Sequence, residues 1–99
     1  MINLDKYIEE GIQVKLRGKE VTILQLTAKL SREVGKLESN IDKGDGYDNR
    51  AQITLKILNN NKEGIKFTQE DVDAIPVKLQ VAIGNEIAKF TYQLMNDPN

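Results

Sequence analysis

The chain has 99 residues, of which 39% are hydrophobic and 29% are charged, and its formal net charge is −1. This length and balance predict one globular domain spanning residues 1–99, and the near-neutral charge argues against a nucleic acid or an anionic membrane as partner. The chain contains neither cysteine nor histidine, which excludes disulfides, thiolate catalysis and the commonest metal ligand.

The N-terminal quarter predicts a short helix followed by a β-hairpin. The range from Asn3 to Glu10 has helical spacing and ends before Gly11. Apolar and polar residues alternate from Ile12 to Arg17, Gly18 supplies a turn, and the β-branched run Val21 to Gln25 returns as the second strand. Two strands alone are marginally stable, so the hairpin must lie on helices or pair with another chain.

The middle of the chain predicts one clear helix, one loop and one ambiguous element. Thr27 is a good N-cap for a helix that reaches about Asn40. The residues from Asp42 to Asn49, DKGDGYDN, read as an internal loop. From Ala51 to Leu58 the apolar residues fit both a strand and one face of a helix, so the pattern leaves both open.

The last third predicts a capping box and the longest helix of the chain. Thr68 and Asp71 have capping-box spacing before a short helical turn, and Pro76 suits the first turn of a helix from Ile75 to Met95. At about 100° per residue, this helix carries two apolar stripes. The stripe expected to face the core comprises Leu79, Ile83, Ile87, Phe90 and Leu94, and the stripe expected to bind a partner comprises Val77, Val81, Ala88, Tyr92 and Met95.

A second apolar stripe is unusual for a surface helix, which normally needs only one. In a chain of this size, complete burial of a helix of about 20 residues is difficult. We therefore expect an α+β fold, with the N-terminal hairpin packed on three or four helices and the C-terminal helix central, and a partner on the second stripe.

The remaining chemical patterns are weak. Asp42, Asp45 and Asp48 do not fit a calcium loop that starts at Asp42 or at Asp45, and no other cofactor or metal site is expected. Basic residues that could contact phosphate are interleaved with Glu20, Glu33 and Glu38, so a charged solvent-exposed face is the simpler interpretation; they are Lys15, Arg17, Lys19, Lys29, Arg32 and Lys36. With no catalytic triad and no phosphate-binding glycine loop, we expect no enzymatic activity.

Two segments resemble a known family. The run from Phe67 to Phe90, FTQEDVDAIPVKLQVAIGNEIAKF, is similar to the C-terminal part of small phage tail assembly chaperones. The opening MINLDKYIEEGIQVKLRGKEVTILQLT is also similar to theirs, with a short acidic lead and a hairpin carrying KLRGKE. Such proteins occur in long-tailed phages and prophages of Gram-positive bacteria.

The resemblance implies a non-enzymatic protein that self-associates and binds the tape-measure protein. Family members keep this long helical chain soluble until the tail tube polymerises around it. Many are also made as a longer frameshifted form that recruits tail-tube protein, and this chain resembles the short form. The family is mostly helical, which favours helix over strand for Ala51 to Leu58. The implied location is the host bacterial cytoplasm and not the mature virion.

Two other functions remain open from the sequence. The chain could be a structural tail or head–tail protein that stays in the virion, or a small nucleic-acid-binding regulator. No signal peptide is expected at the N-terminus, and no apolar run approaches the roughly 20 residues of a membrane span.

Overall fold

The computed structural model describes residues 1–41 and 46–95, and it describes the side chains of the last helix as far as Thr91. The predicted α+β class is confirmed: an N-terminal hairpin is followed by helices that include a C-terminal one. In chain order the elements are α1 (Leu4–Ile8), β1 (Gly11–Leu16), β2 (Lys19–Leu24), α2 (Ala28–Ser39), α3 (Gly46–Asn59), α4 (Gln69–Asp73) and α5 (Val77–Met95).

The hairpin closes through the two-residue turn Arg17-Gly18. Both turn residues have positive φ, 52° and 81° respectively. This is the mirror-image turn whose twist matches that of an antiparallel strand pair. The register runs without a bulge from Leu16↔Lys19 to Gly11↔Leu24, so apolar side chains of both strands share one face.

Helix α3, and not the C-terminal helix as predicted, lies at the centre of the molecule, because α2, α4, α5 and β2 all pack against it. Its buried residues are Ala51, Ile53, Thr54, Ile57 and Leu58. At 100° per residue, these side chains together with half-buried Leu55 span about 200° of the helix circumference. A helix buried over so wide an arc shows apolar residues at alternate positions as well as at helical spacing. This explains the ambiguity of residues 51–58, which are helical.

The predicted loop from Asp42 to Asn49 is wrong over residues 46–49, which are helical. Residues 42–45 lie outside the described part of the chain, but α3 already begins at Gly46. A Cβ on residue 46 would lie 2.6 Å from the carbonyl oxygen of Ile41, so this close approach requires glycine. Asp48 lies in the first turn of α3, where a carboxylate is favoured by the helix dipole.

The segment after α3 covers the outer edge of β2. The backbone N–H of Leu24 donates to the carbonyl of Asn60, and the N–H of Lys62 donates to the carbonyl of Thr22, both at 2.9 Å. The carboxylate of Glu63 accepts bonds from the N–H and hydroxyl of Thr22 at 2.7 and 2.9 Å. These bonds fix the hairpin against the α3 end and satisfy the polar groups of that edge.

The predicted caps of α2 and α4 are confirmed. The hydroxyl of Thr27 accepts a bond from the N–H of Leu30 at 3.1 Å. At α4, Thr68 and Asp71 form the reciprocal bonds of a capping box. Asp71 also lies 3.3 Å from the guanidinium of Arg17, so the cap ties α4 to the hairpin turn.

Acidification should weaken the hairpin supports provided by Glu63 and Asp71. Hydrogen bonds from the backbone N–H groups of Thr22 and Thr68 lower the pKa of Glu63 below its usual 4.5 and that of Asp71 below its usual 3.8. Because folding lowers both pKa values, the resulting stability is present above the unfolded-state values and is lost as pH falls below them.

We therefore expect the free energy of unfolding to fall below about pH 4.5, and to fall less in the Glu63→Gln and Asp71→Asn variants. Urea denaturation at neutral and acidic pH measures this difference. An unchanged pH dependence in both variants would contradict it.

Candidate partner-binding surface on helix α5

Helix α5 packs mainly on α3 and also on β1. Pro76 immediately precedes the helix, and its carbonyl accepts bonds from the N–H groups of Leu79 and Gln80 at 2.9 and 3.1 Å. Along the side that faces α3, Gln80 and Ile87 are buried and Ile83 is half-buried.

The predicted core stripe of α5 is partly wrong. Leu79 does not enter the core, because 55% of its surface is exposed. Ile87 is buried as predicted, whereas Ile83 and Phe90 are half-buried and the side chain of Leu94 lies outside the described residues. The buried side of the helix is centred between Gln80 and Ile87, about 50° around the axis from the centre of the predicted stripe.

Buried Gln80 explains this rotation. Its side-chain amide donates to the carbonyl of Ile75 at 2.9 Å and to that of Val72 at 3.4 Å. Its side-chain oxygen accepts a bond from the hydroxyl of Thr54 on α3 at 3.2 Å. A buried amide is stable only when its donors and acceptors are paired, so these three contacts fix which side of α5 faces α3.

The residues predicted to bind a partner lie away from that buried side wherever they are described. Val77 is 43% exposed, Val81 is 37% exposed, and Ala88 is exposed. The side chains of Tyr92 and Met95 lie outside the described residues. The exposure of Val77, Val81 and Ala88 makes them available for contact, and binding itself stays a prediction.

An apolar groove, here called the β1–α5 groove, opens on one flank of α5. Its volume is about 450 Å³. Its walls are the inward-facing residues of β1 and the Leu79 side of α5, and Leu58 and Ile75 lie at its base; the wall residues include Ile12, Val14, Leu16, Leu79, Ala82 and Ile83. The sequence did not indicate this groove, because Leu79 was assigned to the core.

A second groove, here called the α2–α5 groove, runs along the opposite flank of α5 and measures about 430 Å³. Small residues form much of both walls, and the apolar base includes Ile57; the wall residues include Ser31, Val34, Gly35, Gly84, Ala88 and Thr91. A Cβ added at Gly35 or Gly84 would have no heavy atom within 4 Å, so both positions border open space. The exposed stripe from Val77 to Ala88 adjoins this groove.

Most residues considered for other chemistry take structural roles or lie apart from these grooves, whereas Lys15 lines the β1–α5 groove. Arg17 pairs with Asp71, and the ammonium of Lys19 lies 5.4 Å from the ring centroid of Phe67. Asp42 and Asp45 lie outside the described residues, whereas Asp48 accepts a bond from Gln52 at 3.0 Å.

Within residues 1–41 and 46–95, no group of three acidic side chains is arranged to hold a metal ion. In the same ranges, no helix combines the length and hydrophobicity that a transmembrane segment requires.

Comparison with known proteins adds no identification. No protein-family model, no curated protein and no solved structure matches the chain significantly.

Replacing Gln80 with alanine tests its role in orienting α5. The variant leaves the hydroxyl of Thr54 and the carbonyls of Val72 and Ile75 without this partner, so we expect the free energy of unfolding to fall by about 1–3 kcal/mol. The exposed glutamine Gln69 is the control, and its replacement with alanine should cost no more than about 0.5 kcal/mol. Equal losses in urea denaturation would show that Gln80 does not fix the helix.

Alanine substitutions also separate the buried and exposed apolar residues of α5. Ile87→Ala should lower the free energy of unfolding by about 2–5 kcal/mol because Ile87 is buried in the core. Leu79→Ala should cost less than about 1 kcal/mol because its side chain is largely exposed. Thermal and urea unfolding of the two variants provide the measurement, and a larger loss at Leu79 would contradict the observed rotation.

Proposed function

We propose that the protein is a phage tail assembly chaperone that self-associates and binds the tape-measure protein, keeping it soluble until the tail tube polymerises. The observation that carries this proposal is the exposed apolar surface along α5, with an open groove on each flank. The choice of the tape-measure protein as client rests on the resemblance of residues 67–90 and of the N-terminal segment to such chaperones.

The α2–α5 groove offers a physical reason for a helical client. An amphipathic helix binds by placing apolar residues, spaced one turn apart, into a groove of this kind. Gly35 and Gly84 leave room for close approach, and the exposed valines Val77 and Val81 extend the apolar surface along α5. The tape-measure protein is a long helical chain with exposed apolar residues, so it presents the surface that this groove would cover.

Release of the client also has a basis in this surface. The binding residues of α5 are already partly covered by their own chain, so each contributes only part of its apolar area to a complex. Burial of apolar surface contributes roughly 25 cal/mol per Å² to the free energy of binding. The entropy lost on association opposes this contribution. Such contacts suit a chaperone that must leave when tail-tube subunits assemble.

The proposal includes the other properties that the family resemblance implies. The protein acts in the host bacterial cytoplasm, has no enzymatic activity, and is absent from the mature virion. A longer frameshifted form would link the same client-binding domain to tail-tube protein.

Co-expression with the tape-measure protein from the same genome tests the proposal. Wild-type chain should increase the soluble fraction of the client. Val81→Asp should weaken binding by about tenfold or more, because it brings a charge into an apolar contact. Gln69→Asp is the matched control, since it adds the same charge at an exposed polar position of α4 that lines neither groove.

Both variants should keep the wild-type circular dichroism spectrum. A client that remains equally insoluble with and without the wild-type chain would refute the function. Full activity of Val81→Asp would refute the assignment of the surface.

A further inference from the structure

The outer edge of β1 is unpaired in the described part of the chain. The register of a two-residue hairpin directs the backbone groups of Gly11, Gln13 and Lys15 away from β2. No backbone hydrogen bond from residues 1–41 or 46–95 reaches these groups outside the hairpin. The opposite edge of the sheet differs, because residues 60–63 cover the equivalent groups of Thr22 and Leu24.

The same strand is also incompletely covered on its apolar face. Val21 and Ile23 of β2 are 2% and 0% exposed. Their cross-strand partners Val14 and Ile12 are only half-buried, and they line the β1–α5 groove. Leu79 lies across that groove and is largely exposed. The unpaired edge and the uncovered apolar face therefore belong to one surface.

We propose that a second copy of this chain occupies this surface. The two β1 strands pair in antiparallel orientation about a twofold axis at Gln13, which joins the two hairpins into one four-stranded sheet. Each strand contributes the outward groups of Gly11, Gln13 and Lys15, so the pairing forms about six backbone hydrogen bonds.

The sequence of β1 is self-complementary in this register. Gln13 lies opposite Gln13 of the second copy, and Lys15 lies opposite Gly11 of the second copy, so the two lysines stay apart. A register centred on Lys15 would place like charges directly opposite each other, which is destabilising. The register at Gln13 also uses all three outward-facing residues of each strand.

The apolar face is continuous across the same pairing. Rotation about an axis perpendicular to the sheet keeps the inward faces of both hairpins on one side, so Ile12 lies opposite Val14 of the second copy. Aliphatic pairs of this kind stabilise neighbouring strands. The added strand extends the sheet over the open side of the β1–α5 groove, where Leu79 is exposed.

The length and regular register of β1 favour pairing with another strand. Exposed edges that must stay unpaired usually carry proline, a bulge or charged side chains such as lysine. Lys15 is one such charge, but in the Gln13 register it lies opposite Gly11 and meets no like charge. β1 has six residues in regular register, with no proline, no bulge and Lys15 as its one charged residue. The chain also keeps the α5 stripe and the α2–α5 groove outside this interface, so a pair of copies would present two client-binding surfaces.

The inference specifies the self-association that forms part of the proposed function, and to that extent it rests on it. Its test uses the chain without any client. Sedimentation velocity should show wild-type mass doubling to that of a dimer as concentration rises. Gln13→Pro should abolish the dimer, because proline removes an outward N–H and blocks the edge. The hairpin itself should survive, since that N–H does not bond to β2.

Gln13→Ala is the matched control and should retain the dimer, because the bonds are made by the backbone. Circular dichroism should show the same folded spectrum for both variants. A wild-type chain that stays monomeric, or a Gln13→Pro variant that dimerises like wild type, would overturn the proposal.

Single cysteines then test the register, since the chain has none of its own. In the proposed pairing, the Cα atoms of the two copies of residue 13 lie about 5.5 Å apart, within the range of a disulfide. Those of residue 15 are offset by four residues and lie more than about 13 Å apart. Gln13→Cys should therefore form a covalent dimer on oxidation, and Lys15→Cys should form several-fold less.

Equal cross-linking at the two positions would overturn the register. The client assay separates this inference from the proposed function. If Gln13→Cys confirms the register but the wild-type dimer fails to keep the tape-measure protein soluble, the function is refuted and the interface is retained.

Discussion

The burial of α3 is the constraint on which the rest of the structure depends. The hairpin, α2, α4 and α5 all use this helix to cover their apolar sides. A single central helix of 14 residues cannot cover every neighbour completely. Each surrounding element is therefore buried on one side and left open on another. This incomplete burial explains the exposure of Leu79, the partial exposure of Val14 and the two grooves beside α5.

Local chemistry predicts much of this fold, and long-range contacts determine what the sequence does not reveal. Alternation predicted the hairpin, and the caps at Thr27 and Thr68 followed from side-chain hydrogen bonding to nearby N–H groups. The orientation of α5 could not be predicted in the same way, because Gln80 is held by Thr54, 26 residues earlier. From sequence alone, a glutamine such as Gln80 is expected to face solvent. The predicted core side of α5 was therefore centred on Leu79 and its neighbours and not on Gln80.

Parts of the candidate site were likewise predictable from local sequence, and other parts depend on long-range packing. The exposure of Val77 and Val81 could be predicted from helical spacing, whereas both grooves depend on which side of α5 faces α3. The two surfaces differ in physical character. The α5 stripe and α2–α5 groove present apolar side chains that suit a helix, and the edge of β1 presents backbone groups that suit a strand. A chain with these two surfaces can join a second copy and hold a client through separate residues.

Amide hydrogen exchange on the chain, alone and with a soluble fragment of the tape-measure protein, tests the central claim most directly. Bound client should slow exchange along α2 and α5 around Gly35 and Gly84, and exchange at Gln13 and Lys15 should depend on the concentration of the chain and not on the client. Protection that develops elsewhere, with α5 exchanging at the same rate in both samples, would contradict the account.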